Sequence, residues 1–199
     1  MYRYQYPKFL LPFSGILLTL SLLAGGTLAY FTDTAEPLVN TFLPSRVTTD
    51  VEEQLDGSVK SNVVLQNTGS ASAYLRASIS ITWKDENGKV YGEAPVLGKD
   101  YSLDLDLDQG WVLSADGFYY WVMPVLPAES HPDNCSTGVL ISTCSPLGDG
   151  APEGYALNVE IIGSGIQSMP AYVVADHWGS GVLGVKEDGS LQIRTGGSL

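Results

Sequence analysis

The stretch AYLRASISITW, Ala73 to Trp83, alternates strictly between two kinds of side chain. Leu75, Ala77, Ile79, Ile81 and Trp83 fall on one side, and Tyr74, Arg76, Ser78, Ser80 and Thr82 on the other. Successive side chains of an extended chain point to opposite faces, whereas a helix repeats every 3.6 residues, so the pattern specifies a strand with one face in a core. Antiparallel sheets covered on one face carry this signature.

Similar runs recur. Val59 to Gln66, Tyr101 to Leu107, Gly117 to Met123, Ser136 to Thr143 and Tyr155 to Ile162 all read as short strands, and turn residues separate them. Asn87-Gly88 and Ser114-Ala115-Asp116-Gly117 suit tight hairpin turns, because glycine reaches positive φ without a clash. MPAYVVADHWG is the one helix-like stretch after the N-terminal region, with Pro170 fitting a first turn and Gly179 a stop. These elements predict an all-β fold: an antiparallel two-sheet sandwich, jelly-roll-like, with one short C-terminal helix.

The N-terminus has a different composition. MYRYQYPK carries Arg3 and Lys8 without an acid, Phe9 to Leu23 is almost wholly apolar, and AGGTLA supplies small residues. That order is a secretory signal peptide, and Thr27 and Ala29 place the expected cut between Ala29 and Tyr30. The alternative is an uncleaved anchor, since Phe9 to Tyr30 is long enough for a span of roughly 20 residues. Pro12, Gly15, Gly25 and Gly26 weaken such a helix. Both readings put residues 30–199 outside the cell, with the membrane involved only through the signal segment. The expected organisation is a signal peptide over 1–29 and one domain over 30–199, of which 30–37 is a flexible leader.

The formal net charge is −12, and losing Arg3 and Lys8 with the signal peptide takes it to −14. So acidic a chain is not expected to bind nucleic acid. Cys135 and Cys144 are the only cysteines, and outside the cell they are open to a disulfide. A strand between them would hold them roughly 30 Å apart, far beyond bonding distance. Either the segment folds back or the two are free thiols; the spacing favours free thiols.

Candidate sites for chemistry are sparse. Asp104, Asp106 and Asp108 resemble the start of a calcium loop, but Gln109 and Ala115 stand where glycine and a bidentate glutamate are required. Alternation with Leu103, Leu105 and Leu107 suggests instead a solvated acidic face that guards a sheet edge. The two histidines, His131 and His177, are far apart and form no H-E-x-x-H. No G-x-S-x-G nucleophile turn is present. Neither catalysis nor a cofactor is expected. Trp111, Tyr119 and Trp121 flank a hairpin, where exposed aromatics would stack on a glycan or contact another subunit.

The phrases GGTLAYFTDT, NTFLPSRV, KSNVVLQNTGSASAYLRASISITWKDENGKVY and GWVLSADGFYYW resemble TasA/camelysin-type proteins, which Gram-positive bacteria export through the signal peptidase SipW. The resemblance implies a mature start at Tyr30, a jelly-roll domain and a role in the biofilm matrix or at the cell surface. It also implies fibres built by donating an N-terminal strand, here led by Tyr30 and Phe31 and continued by Leu38, Val39 and Phe42. The partners so implied are a SipW-type peptidase, further copies of the chain, and matrix or wall components. Residues 38–47 serving as the domain's own first strand is the plainer alternative. A cell-surface glycan-binding module is another reading. A camelysin-like metalloprotease is a third, disfavoured by the histidine count.

Overall fold

The computed structural model describes residues 47–56, 59–148 and 150–196. The cut at Ala29 and Tyr30, the leader 30–37, and Phe31, Leu38, Val39 and Phe42 lie outside the described residues.

In chain order come β1 (Thr49–Asp56), β2 (Val59–Asn67), β3 (Ala73–Lys84), β4 (Tyr101–Leu105), β5 (Trp111–Leu113) and β6 (Tyr119–Trp121). Then follow β7 (Ile141–Pro146), β8 (Ala156–Gln167), the helix α1 (Tyr172–Trp178), β9 (Val182–Val185) and β10 (Leu191–Ile193). One sheet has the order β1-β2-β7-β4 and the other β5-β6-β3-β8, all pairs antiparallel, while β9 and β10 form a separate hairpin. The expected all-β two-sheet sandwich is what forms, with eight strands in its two sheets, as in a jelly roll.

The alternation in β3 explains the core. Leu75 and Ala77 are fully buried and meet Val63 and Leu65 of β2, Ile141 and Cys144 of β7, Leu140, Trp111 and Val125, and Trp83 near the end of the strand is buried as well. Each such aliphatic side chain contributes about 1.5–3 kcal/mol by leaving water. Where β1 crosses β8 the sheets approach closely. A Cβ at Gly165 would lie 2.8 Å from Val47 Cγ1 and 2.9 Å from Thr49 Cγ2, so only glycine fits.

The outer face of β3 is not left to solvent throughout. Tyr74, together with Tyr120 of β6, is covered by Val174 and Trp178 of α1, Val182 of β9 and Leu191 of β10. A second core therefore sits on one end of this sheet, which turns that end into three layers.

Several strand limits differ from the sequence reading. The first described strand is β1, whose TDVEEQLD has too few apolar residues to show a period; its pairing with β2 from Thr49↔Asn67 to Asp56↔Val59 holds it. The strand expected over Ser136 to Thr143 begins only at Ile141 and runs to Pro146. Residues 135–140 still follow β2, bonding Cys135 O to Asn67 N, Thr137 N to Leu65 O and Leu140 N to Val63 O, but with breaks in the ladder. β8 extends to Gln167, since serine and glycine at 163–165 hide a strand whose partner is β3. The turn at Asp85–Gly88 closes through Gly88 N to Asp85 O at 3.0 Å, yet only Val90 pairs back onto β3, so no full hairpin follows.

Candidate assembly site

A two-sheet sandwich has four edges, and here they are unequal. β1 is an edge carrying Asp50, Glu52, Glu53 and Asp56. β4 is an edge of only five residues with exposed Asp104. β5 is an edge of three residues. β8 is an edge of twelve, with Glu160 as its one charged residue. Acids and shortness protect edges from pairing with other chains, and β8 has neither protection along most of its length.

The hydrogen-bond parity of β8 follows from β3. Ala73 exchanges both backbone bonds with Val125, at 3.0 and 2.7 Å, on the side away from β8. The groups of Tyr74, Arg76, Ser78, Ser80, Thr82 and Lys84 therefore face β8, where they meet even-numbered residues from Ile166 to Ala156. The odd residues Leu157, Val159, Ile161, Gly163, Gly165 and Gln167 direct their N–H and C=O outward. Among the described residues β8 pairs with β3 alone.

One lysine guards the start of this edge. Lys60 Nζ donates to Val159 O at 2.7 Å and forms an ion pair with Glu53 at 2.7 Å, with the lysine side chain only 12% exposed. A groove of about 540 Å³ opens there, lined by Leu55, Lys60, Trp83, Tyr155, Leu157 and Val159 among others. From Ile161 onward no such side chain reaches the edge carbonyls among the bonds of the described residues.

On the outer face, Arg76 anchors the second core beside β8. Its guanidinium lies 4.0 Å from the Phe118 ring centre and 4.6 Å from that of Trp178, and it donates to Ser164 Oγ and Tyr120 OH, both at 3.0 Å. Tyr120 OH donates to Asp116 Oδ2 at 2.8 Å, Ser180 Oγ to the same oxygen at 3.1 Å, and Phe118 N to Oδ1 at 3.2 Å. Burial alone would raise the Asp116 pKa, but these hydrogen bonds outweigh it and hold the carboxyl below its ordinary range. Farther along, Lys84 Nζ bonds Glu160 at 2.5 Å, and that contact holds Glu160 below the usual carboxylate range.

The residues singled out from sequence fare differently. Asp104, Asp106 and Asp108 do not share a strand face: β4 ends at Leu105, and Asp108 sits in the 3-10 turn Leu107–Gln109. The register of β4 on β7 slips between Asp104 and Leu105, and Leu103, Leu105 and Leu107 still pack against the main core across the break. β4 is nonetheless an edge strand with Asp104 exposed on it. Trp111, Tyr119 and Trp121 form no exposed platform. Trp111 is buried, donates Nε1–H to Gly138 O at 2.9 Å and meets Trp121 edge-on, with ring centres 5.6 Å apart, while Tyr119 and Trp121 pack against the same core. The opposite pair, Phe118 and Tyr120, is covered by the second core. Both faces of the hairpin are packed, with Phe118, Tyr119 and Trp121 half-buried, because α1 and β9–β10 lie against the side that a plain sandwich would expose.

Cys135 and Cys144 are both free and buried, so no disulfide joins them. Cys135 Sγ donates to Pro132 O at 3.1 Å, and burial raises the Cys144 thiol pKa despite nearby Lys60. His131 stands in an exposed loop against Ser130 Oγ, and His177 bonds Val173 O on α1. Among the described residues no group of three His, Cys, Asp or Glu side chains could hold a metal ion. Among them also no helix is long and apolar enough to cross a membrane. The free edge itself was missed in the sequence; its signal was the absence of Lys and Pro, and the single acid, over ALNVEIIGSGIQ. Comparison with protein-family models, with curated proteins and with solved structures gives no match.

Proposed function

We propose that this chain is a secreted structural protein of a bacterial surface or extracellular matrix, assembling by strand addition at the free edge of β8. The observation that carries this reading is the inequality of the edges among the described residues: three are short or acid-lined, and the fourth is long and pairs with β3 alone. Added strands gain main-chain bonds along such an edge, while pockets for alternate side chains set register. The donor is the N-terminal segment freed by cleavage at Ala29, in which Tyr30, Phe31, Leu38, Val39 and Phe42 are the apolar anchors. The likeness of the signal junction to TasA/camelysin-type proteins supports the same reading, with a SipW-type peptidase as the processing partner.

Electron microscopy of the secreted protein tests it. Fibres are expected, and deletion of residues 30–37 is expected to abolish them while the domain still folds. Monomers in both preparations at high concentration would remove the proposal. The hairpin aromatics lend no support to glycan binding, because both faces of that hairpin are covered.

A further inference from the structure

We infer that two copies of the chain also pair β8 with β8 about a two-fold axis, joining their second sheets into one continuous eight-stranded sheet. This needs only the free edge and does not depend on strand donation.

Among the described residues only part of the β8 edge is open. Lys60 occupies the Val159 carbonyl at one end, and at the other Ser168 N turns inward to Ser72 O at 2.9 Å. Residues 161–167 remain, with the outward-facing bonding groups on Ile161, Gly163, Gly165 and Gln167. A two-fold axis that uses this whole window passes through Ser164. It sets Ile161 against Gln167 of the second copy and Gly163 against Gly165, four bonded pairs in all and so roughly eight hydrogen bonds.

The side chains on the outer face then match themselves. Ile162 falls opposite Ile166 of the second copy, on both sides of a central Ser164–Ser164 pair. Cross-strand apolar pairs of this kind stabilise a sheet, and like charges placed opposite weaken it. Glu160 falls opposite Ser168, so the one carboxylate of β8 meets no like charge. Shifting the axis by one residue to Gly163 sets Glu160 against Ile166 and requires the Val159 carbonyl that Lys60 already holds.

Exposure points the same way. Ile162 is 58% exposed, and just past the strand Met169 and Tyr172 are 73% and 67% exposed. Exposed apolar side chains of this kind mark a surface that another chain covers. The inner side of Gly163 and Gly165 is filled by Val47, Thr49, Leu65 and Leu75. Self-pairing and strand donation would use the same edge.

The test uses the full chain with single cysteine substitutions and mild oxidation. On the axis, Ser164→Cys brings two sulfurs together across a non-bonded antiparallel pair, whose α-carbon separation of about 4.5 Å suits a disulfide. At least tenfold more covalent dimer is expected for Ser164→Cys than for Glu160→Cys, which the register keeps away from its own copy. A second variant, Ile162→Lys, changes only an exposed side chain and is expected to lower the dimer fraction tenfold with the melting temperature of the monomer unchanged. Equal cross-linking at 160 and 164, or none at either, overturns the two-fold pairing. If fibres still form in that case, strand donation stands without it.

Discussion

Replacing Lys60 by Met separates the two roles that the lysine plays at the β8 edge. Its ammonium donates to Val159 O and pairs with Glu53, both at 2.7 Å, from a side chain that is only 12% exposed. Methionine keeps an unbranched apolar stem in place, so the change deletes the charge and its bonds without opening a large cavity. A hydrogen bond from a charged group is worth about 1.5–3 kcal/mol. The ion pair adds little, because Glu53 is 33% exposed and rehydrates when its partner is lost. Relief from desolvating the ammonium offsets part of the loss. The net expectation is about 2 kcal/mol of destabilisation. With a urea slope of about 2 kcal/mol per molar, the unfolding midpoint falls by about 1 M. The same substitution frees Val159 and lengthens the open edge toward Leu157, so self-association should increase although the monomer is weaker. Chemical denaturation at low concentration and sedimentation at high concentration measure the two effects. A Lys60→Met protein as stable as the parent, or one that associates less, would refute the assignment of Lys60 as an edge guard.

Three further outcomes are expected. Gly165→Ala puts a Cβ within 2.8 Å of Val47 and should cost about 1–3 kcal/mol in thermal or urea unfolding; a neutral result would mean that β1 does not lie against β8. Asp116 has a folded pKa below its unfolded value, so its contribution is complete above about pH 4 and is lost as pH falls through the lower folded value. The melting-temperature gap between the parent and Asp116→Asn should therefore shrink between pH 4 and pH 2, and a gap constant over that range would contradict the hydrogen-bonding account. Cys135 and Cys144 should resist a thiol reagent in the folded protein and both react in urea, whereas an intact mass two daltons low would show a bridge instead.

The central strand was legible because its two faces differ in chemistry. Leu75 and Ala77 face one core and Arg76 the other side, and that contrast survives in sequence as a period of two. β1 was not legible, because an acid-rich edge strand held by its neighbour needs no apolar face. The second core was hidden for a related reason: Tyr74 and Tyr120 have period-two positions that imply solvent, and only the return of α1 and β9–β10 onto the sheet covers them. That covering also packs Phe118 and Tyr120 on the outer face of the hairpin. The open edge, finally, is a property of topology. Alternation fixes which way side chains point, but strand order decides which backbone groups lack a partner, and among the described residues β8 pairs with β3 alone.

Residue-resolved amide exchange, compared between dilute monomer and assembled protein, tests the edge most directly. Even-numbered amides of β8 are bonded to β3 in both states and should stay protected, while those of Ile161, Gly163, Gly165 and Gln167 should exchange fast in the monomer and slow by at least tenfold on assembly. Protection that appears at β1, β4 or β5 while those four amides remain fast would place the contact elsewhere and contradict the account.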